Sequence, residues 1–395
     1  MKPVINLMDI ESLSKNGNPW DQYEWLRANA PVYWQDEPNG PGYWAITKYE
    51  DICAIARNPE VFSSSVTGPF FDARDPDAFF GKDSMVFAMD GSQHARYRKL
   101  LASGFTPENL TILRPRIQEI AREILNTEMQ KGSGDFVSEI ALRMRAGLVA
   151  EMMGMPPEDL ERLINLVPGR NPSDDTSSPE ALMAGFMELL TYGQSITDIK
   201  QKSPDNDLAT FWVNNEVDGD RLTVEEFTWF FVFLLMEEGP RNAMAPGLQL
   251  LFDHPDQLEI LMSDIDGHIG TAVDEILRFS GAVPCFKRVA VVDTTIRGQH
   301  IKAGDSVMLF YASGNRDEDI FENPNTFDIT RSPNPHITFG GFGKHECLGQ
   351  HVARVELAVM YKELLTLMPN IKSNGEFEWA KSVNISGFQR MPVKY

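Results

Sequence analysis

Only three cysteines, Cys53, Cys285 and Cys347, occur in 395 residues. That is too few for a disulfide framework, so cross-linking is excluded as the main source of stability. They are far apart, without the paired Cys or His spacing of a tetrahedral zinc site. Positive charge is scarce as well: 36 Lys and Arg stand against 57 Asp and Glu, a formal net charge of −21. Such an excess disfavours nucleic acid and anionic membranes as partners. No stretch reaches the roughly 18 apolar residues of a membrane span, and the opening MKPVINLMDIESLSKNGNPW lacks a basic-then-apolar leader pattern. A cytoplasmic protein without a membrane anchor is expected. No Pro/Gly/Ser-rich linker or internal repeat divides the chain, so residues 1–395 read as a single domain.

Against this background the run from Pro335 to Leu357, PHITFGGFGKHECLGQHVARVEL, stands out. Cys347 lies where a glycine-rich loop ends and an amphipathic helix begins, near backbone N–H groups that favour an anion. A lone cysteine is usually a small buried hydrophobe. Here Gly340, Gly341, Gly343 and Gly349 allow the backbone to approach a flat ligand closely. One thiolate beneath a planar macrocycle accounts for both features.

Elsewhere, PVYWQ and GYWAITKY, near residues 31–49, read as strands. The segments ENLTILRPRIQEIAREILNTEMQ and PDQLEILMSDIDGHIGTAVDEILRF carry apolar residues at helical spacing, so most of their Leu and Ile belong to the core. LTVEEFTWFFVFLLMEEGPRNAMAPGLQLLFDHP reads as one long helix starting at a capping box, Thr223 with Glu226. Pro240 and Pro246 should kink or widen it. The expected class is mainly α with a smaller β region.

The cysteine run resembles the haem-binding loop of the cytochrome P450 superfamily, in which a cysteine thiolate is the proximal iron ligand. Further stretches match that family in order. Glu275-Ile-Leu-Arg278 resembles its E-x-x-R signature, two residues three apart on one helix face that form a structural ion pair. The segment Gly314 to Arg331 resembles its meander, whose arginine, here Arg331, joins that pair. His94-Ala-Arg-Tyr-Arg98 resembles its H-x-x-x-R. The resemblance implies a P450-like haem-thiolate fold with haem b as cofactor and Cys347 as metal ligand. It further implies that Phe339, Gly341 and Gly349 line the haem, and that His94, Arg98, Arg288 and His345 act as cations on its propionates.

The central helix departs from the pattern. The family usually carries small residues followed by an acid and an alcohol that deliver protons on the distal haem face. Aligning Arg241-Asn242-Ala243 puts Leu235 and Met236 at the small positions. Glu237 and Glu238 then precede Gly239 and Pro240, where alcohols are expected. Glu238 or Glu237 is therefore the expected catalytic proton carrier, and because adjacent residues diverge on a helix, at most one faces the haem. The leading expectation is an O2-dependent monooxygenase fed with electrons by ferredoxin and ferredoxin reductase. Alternatives are a peroxide-dependent peroxygenase, a non-oxygenating haem enzyme (dehydratase or isomerase) and a binding or sensing protein.

By the same resemblance, Phe70, Phe71, Met85, Phe87, Val283, Ile385 and Phe388 line the substrate pocket. Their apolar character suits a hydrophobic small molecule, and the overall similarity is to bacterial members that oxidise sterol side chains, isoprenoids or branched lipids. Arg96, Lys99 and Lys344 are expected to form a basic patch for an acidic ferredoxin.

Overall fold

Helix boundaries follow local chemistry more closely than apolar periodicity alone suggests. The computed structural model describes residues 3–37, 40–70, 84–156, 159, 162–163, 166, 179–237 and 239–395. The central helix begins as the sequence indicates: Thr223 Oγ1 accepts the Glu226 N–H at 3.1 Å and Glu226 Oε2 accepts the Thr223 N–H at 2.8 Å. Its body, Val224–Met236, is buried on nearly every side. Gly193, on the Pro179–Lys202 helix, allows close packing there, since an added Cβ would lie 2.9 Å from the Phe231 ring.

The expected single long helix is two helices. Glu237 is extended (φ −71°, ψ 119°) and the helix resumes at Gly239–Asp253. Pro240 explains the break: it has no N–H for the carbonyl one turn back, and it is tolerated within the first turn of a new helix. Pro246 lies inside the continuing second segment. Similarly, the pattern read through residues 255–279 divides into Pro255–Ser263 and Ile265–Ser280, because Asp264 leaves helical geometry and its Oδ1 accepts the Gly267 N–H at 3.0 Å.

The strands are β1 (Val32–Gln35), β2 (Tyr43–Ile46), β3 (Phe62–Ser63), β4 (Ser133–Asp135), β5 (Phe286–Ala290), β6 (Thr294–Ile296), β7 (Gln299–Ile301), β8 (Ser306–Leu309), β9 (Lys372–Ser373), β10 (Glu378–Trp379), β11 (Phe388–Arg390) and β12 (Pro392–Lys394). The main sheet has the order β1-β2-β8-β5-β3, with β2 and β8 parallel and Ala45 opposite Met308. Strands β6 and β7 join through Arg297 and Gly298, both at positive φ, as a tight two-residue hairpin requires. The expected strands near residues 31–49 are β1 and β2.

The main core lies among the helices, with smaller apolar clusters around the sheet. Buried Ile117, Ala121 and Leu125 of the Pro107–Met129 helix belong to the same core as Val352, Leu357 and Leu364 of the Gln350–Leu367 helix. That second helix follows Cys347 directly, so the core anchors the cysteine loop from below.

Candidate functional site

The cysteine loop is fixed from several directions. Tyr49 Oη donates to the Pro335 carbonyl at 2.7 Å, and the Ile337 N–H donates to Asn315 Oδ1 at 2.7 Å. Thr338 Oγ1 donates to the Leu277 carbonyl at 3.0 Å, and the Cys347 N–H donates to the Phe339 carbonyl at 2.8 Å. Gly340, Gly341 and Phe342 are consecutive positive-φ residues that turn the chain. At Gly343 an added Cβ would lie 2.0 Å from the Ala56 carbonyl oxygen, so only glycine fits. Arg354 covers the Phe339 ring at 4.6 Å and ties the loop to Asp274 at 2.7 Å.

Of the three thiols only Cys347 is accessible. Burial among the surrounding protein nevertheless pushes this thiol up to about 11, and the Glu237 charge adds to the effect; the Gly349 N–H, Arg98 and Arg145 pull in the opposite direction. The N–H groups at the helix start therefore do not by themselves yield the expected thiolate. Coordination to a metal would, since a coordinating thiol is deprotonated outright. Gly349 stands beside the sulfur, where an added Cβ would lie 3.8 Å from it.

Along one edge the structure brings together His94, Arg98, Arg288 and His345, which couple electrostatically. The two imidazoles stack with centroids 4.1 Å apart. Burial, with the neighbouring positive groups, pushes His94 down to about 4, and burial also lowers His345. Burial and the neighbouring guanidiniums thus hold both imidazoles toward the neutral form, in which each still offers an N–H. His345 Nε2 lies 3.2 Å from Asp90 Oδ1. Asp90 Oδ2 accepts Ser63 Oγ at 2.6 Å and the Ser64 and Ser65 N–H groups at 2.9 and 3.0 Å. These bonds outweigh burial and hold its carboxyl well below the usual range.

Arg98, half-buried, and Arg288, buried, have no carboxylate partner among the described residues. An interior guanidinium without a counter-charge is costly. One accessible thiol flanked by two such cations matches an iron porphyrin, with sulfur for the iron and guanidiniums for its two carboxylates. The donor set fits haem.

At the helix break Glu237 makes three contacts with two residues. Its Oε1 accepts the Gly239 N–H at 2.7 Å, its Oε2 pairs with Arg145 Nη2 at 3.2 Å, and its carbonyl accepts Arg145 Nε at 3.3 Å. Arg145 also reaches the fully buried Glu356 at 3.5 Å. Burial, with Glu237 adding and Arg145 opposing, pushes Glu356 up to about 7. Glu238 and Phe71 lie outside the described residues.

The remaining pocket residues separate into two groups. Phe70 meets Phe87 at 5.4 Å and Phe286 at 5.5 Å, and Phe87 meets Phe233 at 4.7 Å. Met85 is buried beside that turn, and Val283 and Ile385 are half-buried in the segments joined by the Ser386 N–H to Ala282 carbonyl bond. Phe388, on β11, is buried and packs on Trp379 at 4.4 Å and Phe377 at 5.3 Å.

Glu275 and Arg278 form a wholly buried pair at 2.7 Å, and Arg331 Nε joins Glu275 at 3.2 Å. The expected basic patch is corrected. Arg96 is bound by Asp220 at 2.6 Å and by Glu226, Lys99 by Asp218, and Lys344 by Glu60 at 2.6 Å. Each charge is locally neutralised by an acid from a distant segment.

Sequence reasoning missed Arg145, Glu356 and Phe233. An arginine and a glutamate within apolar helical runs, LRMRAGLVAEMM and HVARVELAVM, were the available signal for the first two.

A family model described as Cytochrome P450 matches residues 242–367. The chain is 33% identical over 388 residues to the steroid C26-monooxygenase of Rhodococcus jostii, covering 95% of this chain and 82% of that protein. It is also 33% identical over 385 residues to the methyl-branched lipid omega-hydroxylase of Mycobacterium tuberculosis, covering 94% and 89%. Among solved structures, a Mycobacterium marinum cytochrome P450 in complex with pseudoionone superposes with a TM-score of 0.89 at 34% identity, covering 100% of this chain and 99% of that one.

Proposed function

The chain belongs to the cytochrome P450 family, and from that premise we propose that it hydroxylates a steroid or methyl-branched lipid, using O2 and electrons delivered by ferredoxin and its reductase. It is an oxidoreductase of the monooxygenase class with haem b as cofactor. The overall change, R–H + O2 + 2 e⁻ + 2 H⁺ giving R–OH + H2O, consumes two protons that the protein must deliver. When bound, the haem supplies oxygen activation and removal of hydrogen from the substrate carbon.

The protein's share is positioning, exclusion of water and proton supply. Cys347 would hold the iron, Arg98 and Arg288 the haem carboxylates, and His94 and His345 would offer N–H groups at that edge. Phe70, Phe87 and Phe233 present an apolar aromatic surface suited to a rigid hydrocarbon. The observation that supports the oxygen-dependent reading is Glu237, which lies at the helix break held by Arg145 and the Gly239 N–H although the alcohol is absent. A carboxyl group so fixed is able to pass protons without the hydroxyl.

The same break favours a second reading, peroxide-dependent oxygenation, because Gly239 and Pro240 offer no alcohol to hold a relay water. Product formation on a steroid, terpene and fatty-acid panel tests both. Turnover with reduced ferredoxin and O2 but not with hydrogen peroxide is expected; turnover with peroxide alone would overturn the leading reading. A steroid ligand should also shift the Soret band toward the high-spin position.

A further inference from the structure

Arg96, Lys99 and Lys344 each pair with an acid of this chain, so they present little net charge to an incoming protein. A different residue of the cysteine loop faces outward. Phe342 is 47% exposed, the one exposed aromatic ring among the described residues. Its φ is 59°, in the left-handed region that a side chain bearing a Cβ disfavours. The flanking glycines seat the loop on the helix Tyr49–Ala56: an added Cβ at Gly341 would lie 3.6 Å from the Cys53 Cα, and one at Gly343 2.0 Å from the Ala56 carbonyl oxygen. Between these two seated residues the ring is left in solvent. Neither core packing nor backbone preference accounts for an aromatic residue placed this way.

The guanidinium of Arg57, the residue that ends that helix, lies 5.9 Å from the Phe342 ring centroid. Arg57 is exposed and forms no ion pair with any described residue. Lys344, two residues after Phe342, is neutralised by Glu60 at 2.6 Å. The patch is therefore an aromatic ring with a single free cation beside it. Aromatic rings and arginines carry much of the binding energy at protein interfaces, and one unpaired guanidinium suits one carboxylate of an acidic partner. The route inward is short. The Gly343 carbonyl accepts the Glu346 N–H at 3.0 Å, so one hydrogen bond links the residue after Phe342 to the residue before Cys347.

Resting on the ferredoxin-fed monooxygenase reading, we propose that Phe342 is the apolar anchor on which the ferredoxin docks, that Arg57 holds one of its carboxylates, and that electrons enter through the loop beneath the ring. Each docking transfers one electron: the iron–sulfur cluster of the ferredoxin is oxidised by one electron, the haem iron is reduced by one, and no proton or bond is exchanged at this face. Because the contact is mainly apolar, it weakens little with salt, unlike docking on a basic patch.

The test uses the haem-loaded full chain and a two-iron plant-type ferredoxin, with affinity measured by calorimetry and electron transfer by stopped-flow reduction. Phe342→Gly is the informative variant, because glycine suits the left-handed backbone while deleting the ring; its melting temperature should not fall. Its affinity, and its reduction rate at subsaturating ferredoxin, should drop by about tenfold or more. Phe342→Tyr should retain both, and Arg57→Gln should lose about threefold. Raising salt from about 0.05 to 0.5 M should change wild-type affinity by less than about threefold. Dithionite should reduce every variant at the wild-type rate, which places the loss at docking. Wild-type affinity and reduction rate in Phe342→Gly, or an affinity that collapses with salt and in Lys344→Gln, would overturn the proposal. Failure of the ferredoxin to bind or reduce even the wild type, with dithionite reduction intact, would instead overturn the ferredoxin reading on which it rests.

Discussion

His94 and His345 stack at 4.1 Å in the interior, held in register by the Asp90 contact to His345. Their proximity sets a pH dependence. His94 is pushed down to about 4 by burial and by its positive neighbours, whereas an unfolded histidine titrates near 6.5. Between those values the unfolded chain binds the extra proton and the folded chain does not, so stability falls as pH is lowered through this window. Thermal melts of the haem-free protein should show this decline, and His94→Phe should reduce it; parallel profiles for the two proteins would contradict the assignment.

Arg288 extends from β5 into the same edge without a carboxylate partner among the described residues. If it holds a haem carboxylate, Arg288→Leu removes a charged hydrogen bond worth about 1.5–3 kcal/mol. Haem transfer to an excess of a competing haem-binding protein should then be about ten- to a hundredfold faster than in the wild type. An unchanged transfer rate would assign Arg288 to packing alone.

Glu275 and Arg278 are both 0% exposed, and the pair also accepts or donates to the backbone of the segment from Asn315 to Asp328. Glu275→Leu leaves Arg278 charged and unpaired, at a cost of about 3–5 kcal/mol. Urea denaturation should show that loss. The double replacement Glu275→Leu with Arg278→Met should recover part of it, because no uncompensated charge remains.

Much of this architecture was legible where function imposes unusual residues at short range. A lone cysteine after Gly340, Gly341 and Gly343, and an acid and an arginine three apart at Glu275 and Arg278, carry their meaning within a few positions. Arg145 does not: its partners Glu237 and Glu356 are 92 and 211 residues away, and nothing local marks the encounter. Phe233 was hidden for a different reason, because in FFVFLLM every residue looks like core, and only the packing of Phe87 singles it out. The basic patch at Arg96, Lys99 and Lys344 failed because a count of local charges omits the acids that folding brings beside them.

The contact between Phe87 and Phe233, 4.7 Å between centroids, joins the turn Val86–Ala88 to the central helix one turn before Glu237. If these rings line the substrate pocket, each limits how far a rigid substrate can advance into it. Phe87→Ala removes one ring while Phe70 still meets Phe286, so the wall opens without dismantling the helix. In a hydrophobic pocket one methylene is worth only about 10–200-fold in discrimination, and deletion of a ring should exceed the lower end of that range. The ratio of kcat/KM for a bulky steroid over a straight-chain fatty acid should therefore change by about tenfold or more, with hydroxylation moving to a different carbon. The same ratio and the same product carbon after both Phe87→Ala and Phe233→Ala would show that these rings pack the protein and do not select its substrate.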